Sequence, residues 1–177
     1  MTMRMRAIVL VVIQCLLVSS IAVKYLYERA TCPRVWTQAA QYDPELPMRG
    51  RYLALSPQVD ACNLMRNEKP ENDGPFGIRS FRARVIARDG RLVAEDARDQ
   101  LPRTEFPSVS VGVNQPCDHG QLWRGIDYFV PETAASPFPL KPGQELWVEV
   151  TVPPLGPPRA IQLAISDNGT WRVLKFE

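Results

Sequence analysis

The stretch Glu145-Leu146-Trp147-Val148-Glu149-Val150-Thr151-Val152 decides the fold class. Successive side chains of an extended chain point to opposite faces, so this alternation turns Leu146, Val148, Val150 and Val152 toward a core and Glu145, Trp147, Glu149 and Thr151 outward. Upstream, Pro142-Gly143 marks a turn. Downstream, the proline-rich run Pro153 to Pro158 ends the strand, because proline fixes its own torsion and donates no backbone hydrogen bond. Ala160 to Ile165 and Thr170 to Phe176 then read as a hairpin across Asp167-Asn168-Gly169, whose residues tolerate the positive torsions of a tight turn. The same turn accounts for Asn168-Gly169-Thr170, which formally matches a glycosylation acceptor.

Further toward the N-terminus the period of two returns. In Phe81-Arg82-Ala83-Arg84-Val85-Ile86-Ala87-Arg88 the residues Phe81, Ala83, Val85 and Ala87 share one face and three arginines the other, so this is a half-buried strand with a solvated basic face. Asp89-Gly90 and Leu92-Val93-Ala94 complete a hairpin. Ser108 to Val113 alternates briefly, Leu122 to Val130 reads as one longer strand rich in aromatic and branched residues, and Arg51 to Leu55 adds another. Seven or eight short strands punctuated by Gly and Pro, with no helix among them, predict an all-β antiparallel sandwich or barrel-like domain. About 130 residues suffice for one buried core.

Ahead of these strands lies Ala7 to Val23, AIVLVVIQCLLVSSIAV, 17 residues without a charge, preceded by Arg4 and Arg6 and followed by Lys24-Tyr25-Leu26-Tyr27. Its aliphatic residues sum to roughly −5 kcal/mol on the membrane-insertion scale. The run spans about 25 Å as a helix, and extension to Tyr27 reaches the roughly 30 Å of the hydrocarbon core. Tyr25 and Tyr27 then fall where interfacial aromatics lie. The competing reading is a cleaved secretory signal, since Ser20-Ile21-Ala22 supplies small residues at suitable spacing. Cys15 follows the bulky Gln14 and reads as apolar packing rather than as a lipoprotein site. A short basic tail stays in the cytoplasm while a long C-terminal domain crosses, so both readings put residues 28–177 outside the cytoplasm. Asp43-Pro44-Glu45-Leu46-Pro47 reads as turn-rich linker. The expected organisation is therefore a transmembrane signal-anchor over 1–27, a juxtamembrane linker over 28–47 and a β domain over 48–177.

Three cysteines remain beyond the membrane segment, and an oxidising compartment favours pairing two of them. Cys62 and Cys117 fall inside the region expected to fold, whereas Cys32 lies beside the anchor, so a Cys62–Cys117 bridge is the favoured pairing, worth roughly 3 to 4 kcal/mol for the loop it closes. The alternative is three unlinked thiols. No pair has C-x-x-C spacing, which argues against thioredoxin-like redox chemistry and zinc knuckles.

The segment Met48-Arg49-Gly50-Arg51-Tyr52-Leu53-Ala54-Leu55-Ser56 resembles the GDYXXLXY family of membrane-anchored bacterial envelope proteins. Gly50, Tyr52 and Leu55 match its motif, while Arg51 stands where Asp is usual and Pro57 where the last Tyr would be. The N-terminal anchor, Asp43 to Pro47, Tyr128-Phe129-Val130-Pro131-Glu132 and the terminal pair of strands follow the same order of features. The resemblance implies a single-pass protein of the bacterial inner membrane with a mostly β domain in the periplasm, and it supplies no catalytic residues. The Gly-x-Tyr entry itself suits a close backbone approach with the Tyr ring packed on a neighbour.

The only histidine lies in Cys117-Asp118-His119-Gly120, where a thiol, a carboxylate and an imidazole cluster. A Cys–His nucleophile requires a free Cys117, so a bridge there removes it. A metal would have to recruit carboxylates or thiols, and no metal or cofactor is expected. Asp127 and Glu132 form a second carboxylate pair in principle. Phosphate-loop, dinucleotide and nucleophile-elbow motifs are absent. With 21 Lys+Arg against 19 Asp+Glu the chain is nearly balanced, which argues against a nucleic-acid partner. Trp147 on the outward face, with Tyr128 and Glu132, is the candidate binding surface. The leading expectation is a non-enzymatic interaction or assembly module of the cell envelope with a membrane-protein partner. The alternatives are an envelope enzyme with a thiol or carboxylate centre near Cys117 to His119, and a small-ligand binder.

Overall fold

The computed structural model describes residues 3–43, 52–67, 72–73, 77–97, 106–112, 114–123, 125–131 and 137–176. It divides into two compact units, Met1–Cys32 and Pro33–Glu177. Gly50 and Glu132, both singled out in the sequence, lie outside the described residues.

The first unit is one helix, α1, Met3–Thr31. Its stretch Met5–Thr31 is long and apolar enough to cross a membrane. Lys24 and Glu28 pair one turn apart at 3.9 Å, and the Thr31 hydroxyl donates to the Tyr27 carbonyl at 2.8 Å. Pro33 stops the helix, since it has no N–H and drives its predecessor out of helical torsions.

The second unit is an antiparallel β structure that does not close into a barrel. Its strands are β1 Arg34–Asp43, β2 Tyr52–Val59, β3 Asn72–Asp73, β4 Ile78–Arg88, β5 Arg91–Asp96, β6 Ser108–Gly112, β7 Gly120–Leu122, β8 Ile126–Phe129, β9 Gln144–Thr151, β10 Arg159–Asp167 and β11 Thr170–Val173. Along the ladder the order is β11-β10-β9-β1-β2-β7-β6-β4-β3, with β5 added on β4 and β8 on β2. Strand β2 holds the two halves together. It pairs with β1 from Ala54 to Pro57, with β8 from Tyr52 to Leu55, and with β7 at Gln58 and Val59. Pro57 sits at the changeover from β8 to β7, where a missing donor harms the ladder least. There the buried Ser56 hydroxyl bonds the Leu122 carbonyl at 2.9 Å.

Alternation predicts burial well along the two clearest strands. Leu146, Val148, Val150 and Val152 of β9 and its continuation are buried, as are Phe81, Ala83 and Val85 of β4, while Ala87 is partly buried. They join Leu55, Val109, Val111, Leu163 and Ile165 in one core. Both expected hairpins form. Asp89 and Gly90 have φ of 50° and 73°, and Asn168 and Gly169 have φ of 48° and 87°, the paired left-handed torsions that match the twist of the flanking strands. The basic face of β4 is partly neutralised by its hairpin partner, because Arg88 pairs with Glu95 of β5.

The structure departs from the sequence reading in four places. Half of the stretch assigned to a juxtamembrane linker, Arg34–Asp43, is strand β1, which lies inside the ladder between β9 and β2. Its inward residues Val35, Thr37 and Ala39 are small or polar, so the alternation is faint. A short helix, α2, Cys62–Asn67, follows β2 and buries Leu64; six residues are too few to show a helical period. The single strand expected over Leu122 to Val130 is two, β7 and β8, separated where Gly125 takes φ of 56°. Thr151, expected outward, is buried because it lies between Arg34 of β1 and Arg159 of β10.

Candidate functional site

A surface cleft of about 270 Å³ opens where β1, β2, β5 and β9 approach the turn that follows β6. Strand β1 contributes Trp36 and Gln38, and β9 contributes Trp147. The end of β2 and the residue after it give Gln58 and Asp60, β5 gives Arg91, and the turn gives Asp118 and His119. A second cleft of about 210 Å³ shares Gln38, Gln58 and His119 with the first and continues to Gln115 and Gln121.

The turn is the 3-10 stretch Cys117–His119, and it is secured from several directions. Cys117 is bonded to Cys62 at the start of α2, with Cα atoms 4.7 Å apart. The Ala61 N–H donates to the Cys117 carbonyl at 2.9 Å. The Gln58 amide donates to the Asp118 carbonyl at 3.1 Å. Gly120 then lets the backbone pass close to β2, since a Cβ there would fall 2.8 Å from the Val59 carbonyl oxygen. With the main chain held, Asp118 and His119 remain 47% and 54% exposed at the cleft, and Asp118 Oδ1 lies 4.0 Å from His119 Nε2.

The other wall is aromatic. Trp171 of β11 meets Trp147 with ring centroids 4.7 Å apart, and it meets Trp36 edge-to-face at 5.6 Å and 85°. Trp147 Nε1 donates to Glu145 Oε2 at 3.2 Å. Trp147 thus turns outward as alternation requires, yet it is half-buried because another indole covers it. Such tilted and edge contacts between rings hold both indoles at fixed angles. Deeper in, the Thr37 hydroxyl donates to the Gln58 carbonyl at 2.7 Å, joining β1 to β2 beneath the cleft. Asp60 accepts the Cys62 N–H at 2.9 Å through one carboxylate oxygen.

The residues named from sequence distribute unevenly over this geometry. Trp147 lies in the cleft wall, and Cys62 and Cys117 form the bond that ties the turn carrying Asp118 and His119 to α2. Tyr128 is elsewhere, packed on Phe176 at 5.8 Å against the core. Tyr52 stands opposite Phe129 in the ladder, with rings 6.4 Å apart, and Leu55 is completely buried, so both serve packing. Asp127 is exposed on β8. The Cys–His nucleophile fails, because Cys117 spends its thiol in the disulfide. Among the described residues, no group of three or more His, Cys, Asp and Glu could hold a metal ion. Trp36, Gln38, Gln58 and Asp60 escape a sequence reading, since they converge only through strand pairing. Their one local signal is the Trp36, Gln38 spacing along an alternating strand.

No family model, curated protein or solved structure matches the chain.

Proposed function

We propose that the chain is a single-pass protein of the bacterial inner membrane that displays its β body in the periplasm and works there as a non-enzymatic interaction or assembly module. The observation that carries this reading is the combination of an N-terminal helix long and apolar enough to cross a membrane with a Cys62–Cys117 disulfide in the body that follows it. Cytosolic reductants keep thiols apart, so a structural bridge favours export. The length of the apolar run and the flanking Tyr25 and Tyr27, which suit the membrane interface, favour a retained anchor over a cleaved signal.

Gln14 supports a membrane-protein partner. Its amide lies in the middle of the apolar run, where an unmet polar group is costly and hydrogen bonds between helices are the usual remedy. The GDYXXLXY resemblance is compatible with the same picture, since Tyr52 and Leu55 act through packing rather than chemistry.

The test is topological. A phosphatase reporter fused to the C-terminus is expected to be active in the periplasm, and thiol labelling of intact cells is expected to reach Cys62 and Cys117 only after reduction. Activity confined to a cytosolic reporter overturns the reading. For the partner, crosslinking of the membrane-embedded chain is expected to lose its product on Gln14→Leu.

A further inference from the structure

We infer that the joined clefts around His119 form a binding site for a neutral, hydroxyl-rich oligosaccharide. The lining chemistry favours this class over the alternatives. Two indoles, Trp36 and Trp147, form the aromatic wall, and their angles are set by Trp171 before any ligand arrives. A sugar ring offers an apolar C–H face to such a wall and a rim of hydroxyl groups around it. Four carboxamides are placed to meet that rim: Gln38 and Gln58 where the clefts meet, and Gln115 and Gln121 in the second. A carboxamide carries two N–H donors and an acceptor oxygen in one plane, a versatile match to vicinal hydroxyls; Gln58 spends one N–H on the Asp118 carbonyl and Gln115 its oxygen on the Gly112 N–H, so each keeps only part of that capacity for a ligand.

Charge argues for neutrality. Among the described residues, Arg91 is the one permanently charged cation lining the first cleft, which also holds two carboxylates, Asp60 and Asp118. A phosphate or carboxylate ligand would meet more repulsion than attraction, and a lipid chain would have to desolvate the amides without repaying them. The two clefts, at about 270 and 210 Å³, are each slightly below the lower bound of about 300 Å³ for small-molecule sites. They share Gln38, Gln58 and His119 along their border, so an elongated ligand of several linked rings would draw on both. Preorganisation reduces the ordering cost of binding, and here it comes from the bridged turn on one side and the tryptophan stack on the other. The inference rests on the periplasmic reading only for where the sugar is met; binding by the purified chain does not depend on it.

The experiment uses the full chain in micelles of a non-sugar detergent, titrated with chitotetraose and separately with cellotetraose by calorimetry and saturation-transfer NMR. The two probes share hydroxyl-rich rings and differ in the N-acetyl group, so their ratio tells an amino-sugar polymer from a plain glucan. At least one is expected to bind with a Kd below about 1 mM. Trp147→Ala is expected to weaken binding about tenfold, and Gln38→Ala several-fold. Trp123→Ala, an exposed indole that does not line either cleft, is expected to leave it unchanged. If Trp147→Ala loses its cooperative unfolding transition, Trp147→Phe and Gln38→Ala decide the matter. The inference is overturned if neither sugar binds at about 1 mM, or if folded Trp147 and Gln38 variants bind as well as the parent. The phosphatase reporter fails or succeeds separately, so a cytosolic domain that binds sugar and a periplasmic one that does not are told apart.

Discussion

Replacing both bridged cysteines, Cys62→Ser with Cys117→Ser, removes a constraint whose value follows from chain length. The bond closes 55 residues. For a loop of that size the chain-entropy relation gives about 14 cal/mol/K, or about 4 kcal/mol at 25 °C, lost from the advantage of the folded state. Little of this comes from broken native contacts, because the Ala61 and Gln58 hydrogen bonds to the turn do not involve sulfur. Urea unfolding of the full chain in micelles, followed by tryptophan fluorescence, measures the change. With a denaturant slope of about 2 kcal/mol/M, the midpoint is expected to fall by about 2 M. Reductant added to the parent should reproduce that fall, while Cys32→Ser, at a free cysteine, should leave the midpoint in place. A loss below about 1 kcal/mol in both the double variant and the reduced parent would refute the loop-closure reasoning.

The two glycines with the clearest structural roles should lose stability for different reasons. Gly120→Ala drives a Cβ to 2.8 Å from the Val59 carbonyl and 3.3 Å from the Ala61 Cβ, so unfolding measurements are expected to show a loss of about 1 to 3 kcal/mol. Gly90→Ala meets no atom within 4 Å and bears only the cost of its positive φ, about 1 to 2 kcal/mol. Leu55→Ala empties a completely buried position and is expected to cost about 2 to 5 kcal/mol by the same urea assay. Trp171→Ala uncovers Trp147 and Trp36, and a red shift of the tryptophan emission with only a modest change in stability is the expected signature.

Much of the sheet was legible because strong alternation and left-handed turn residues coincide. In β4 and β9 apolar side chains occupy alternate positions, and Asp89-Gly90 and Asn168-Gly169 punctuate the hairpins. Strand β1 was hidden by the opposite circumstance. Its inward positions are Val35, Thr37 and Ala39, while its largest side chain, Trp36, points outward, and Pro33 and Pro44 bracket it as if it were linker. The bridge and the lone histidine were legible from cysteine number and position. The cleft was only partly so. Trp147 announced itself by facing outward in a strand of aliphatics, and Cys117 to His119 by composition. Gln38, Gln58 and Asp60 look like ordinary surface residues until β1 and β2 pair, because a site assembled across strands leaves no spacing in any one of them.

Strand β2 takes partners from both directions along the chain, β1 before it and β7 and β8 well after it. Its ladder therefore stays open on one edge until Phe129 has been synthesised and delivered. Pairing over such long separations is slow, and an unsatisfied strand edge invites the wrong neighbour in the interval. The nascent body consequently benefits from a chaperone or from prompt completion of its C-terminal half. A truncation short of β8 should aggregate rather than persist as a smaller folded unit.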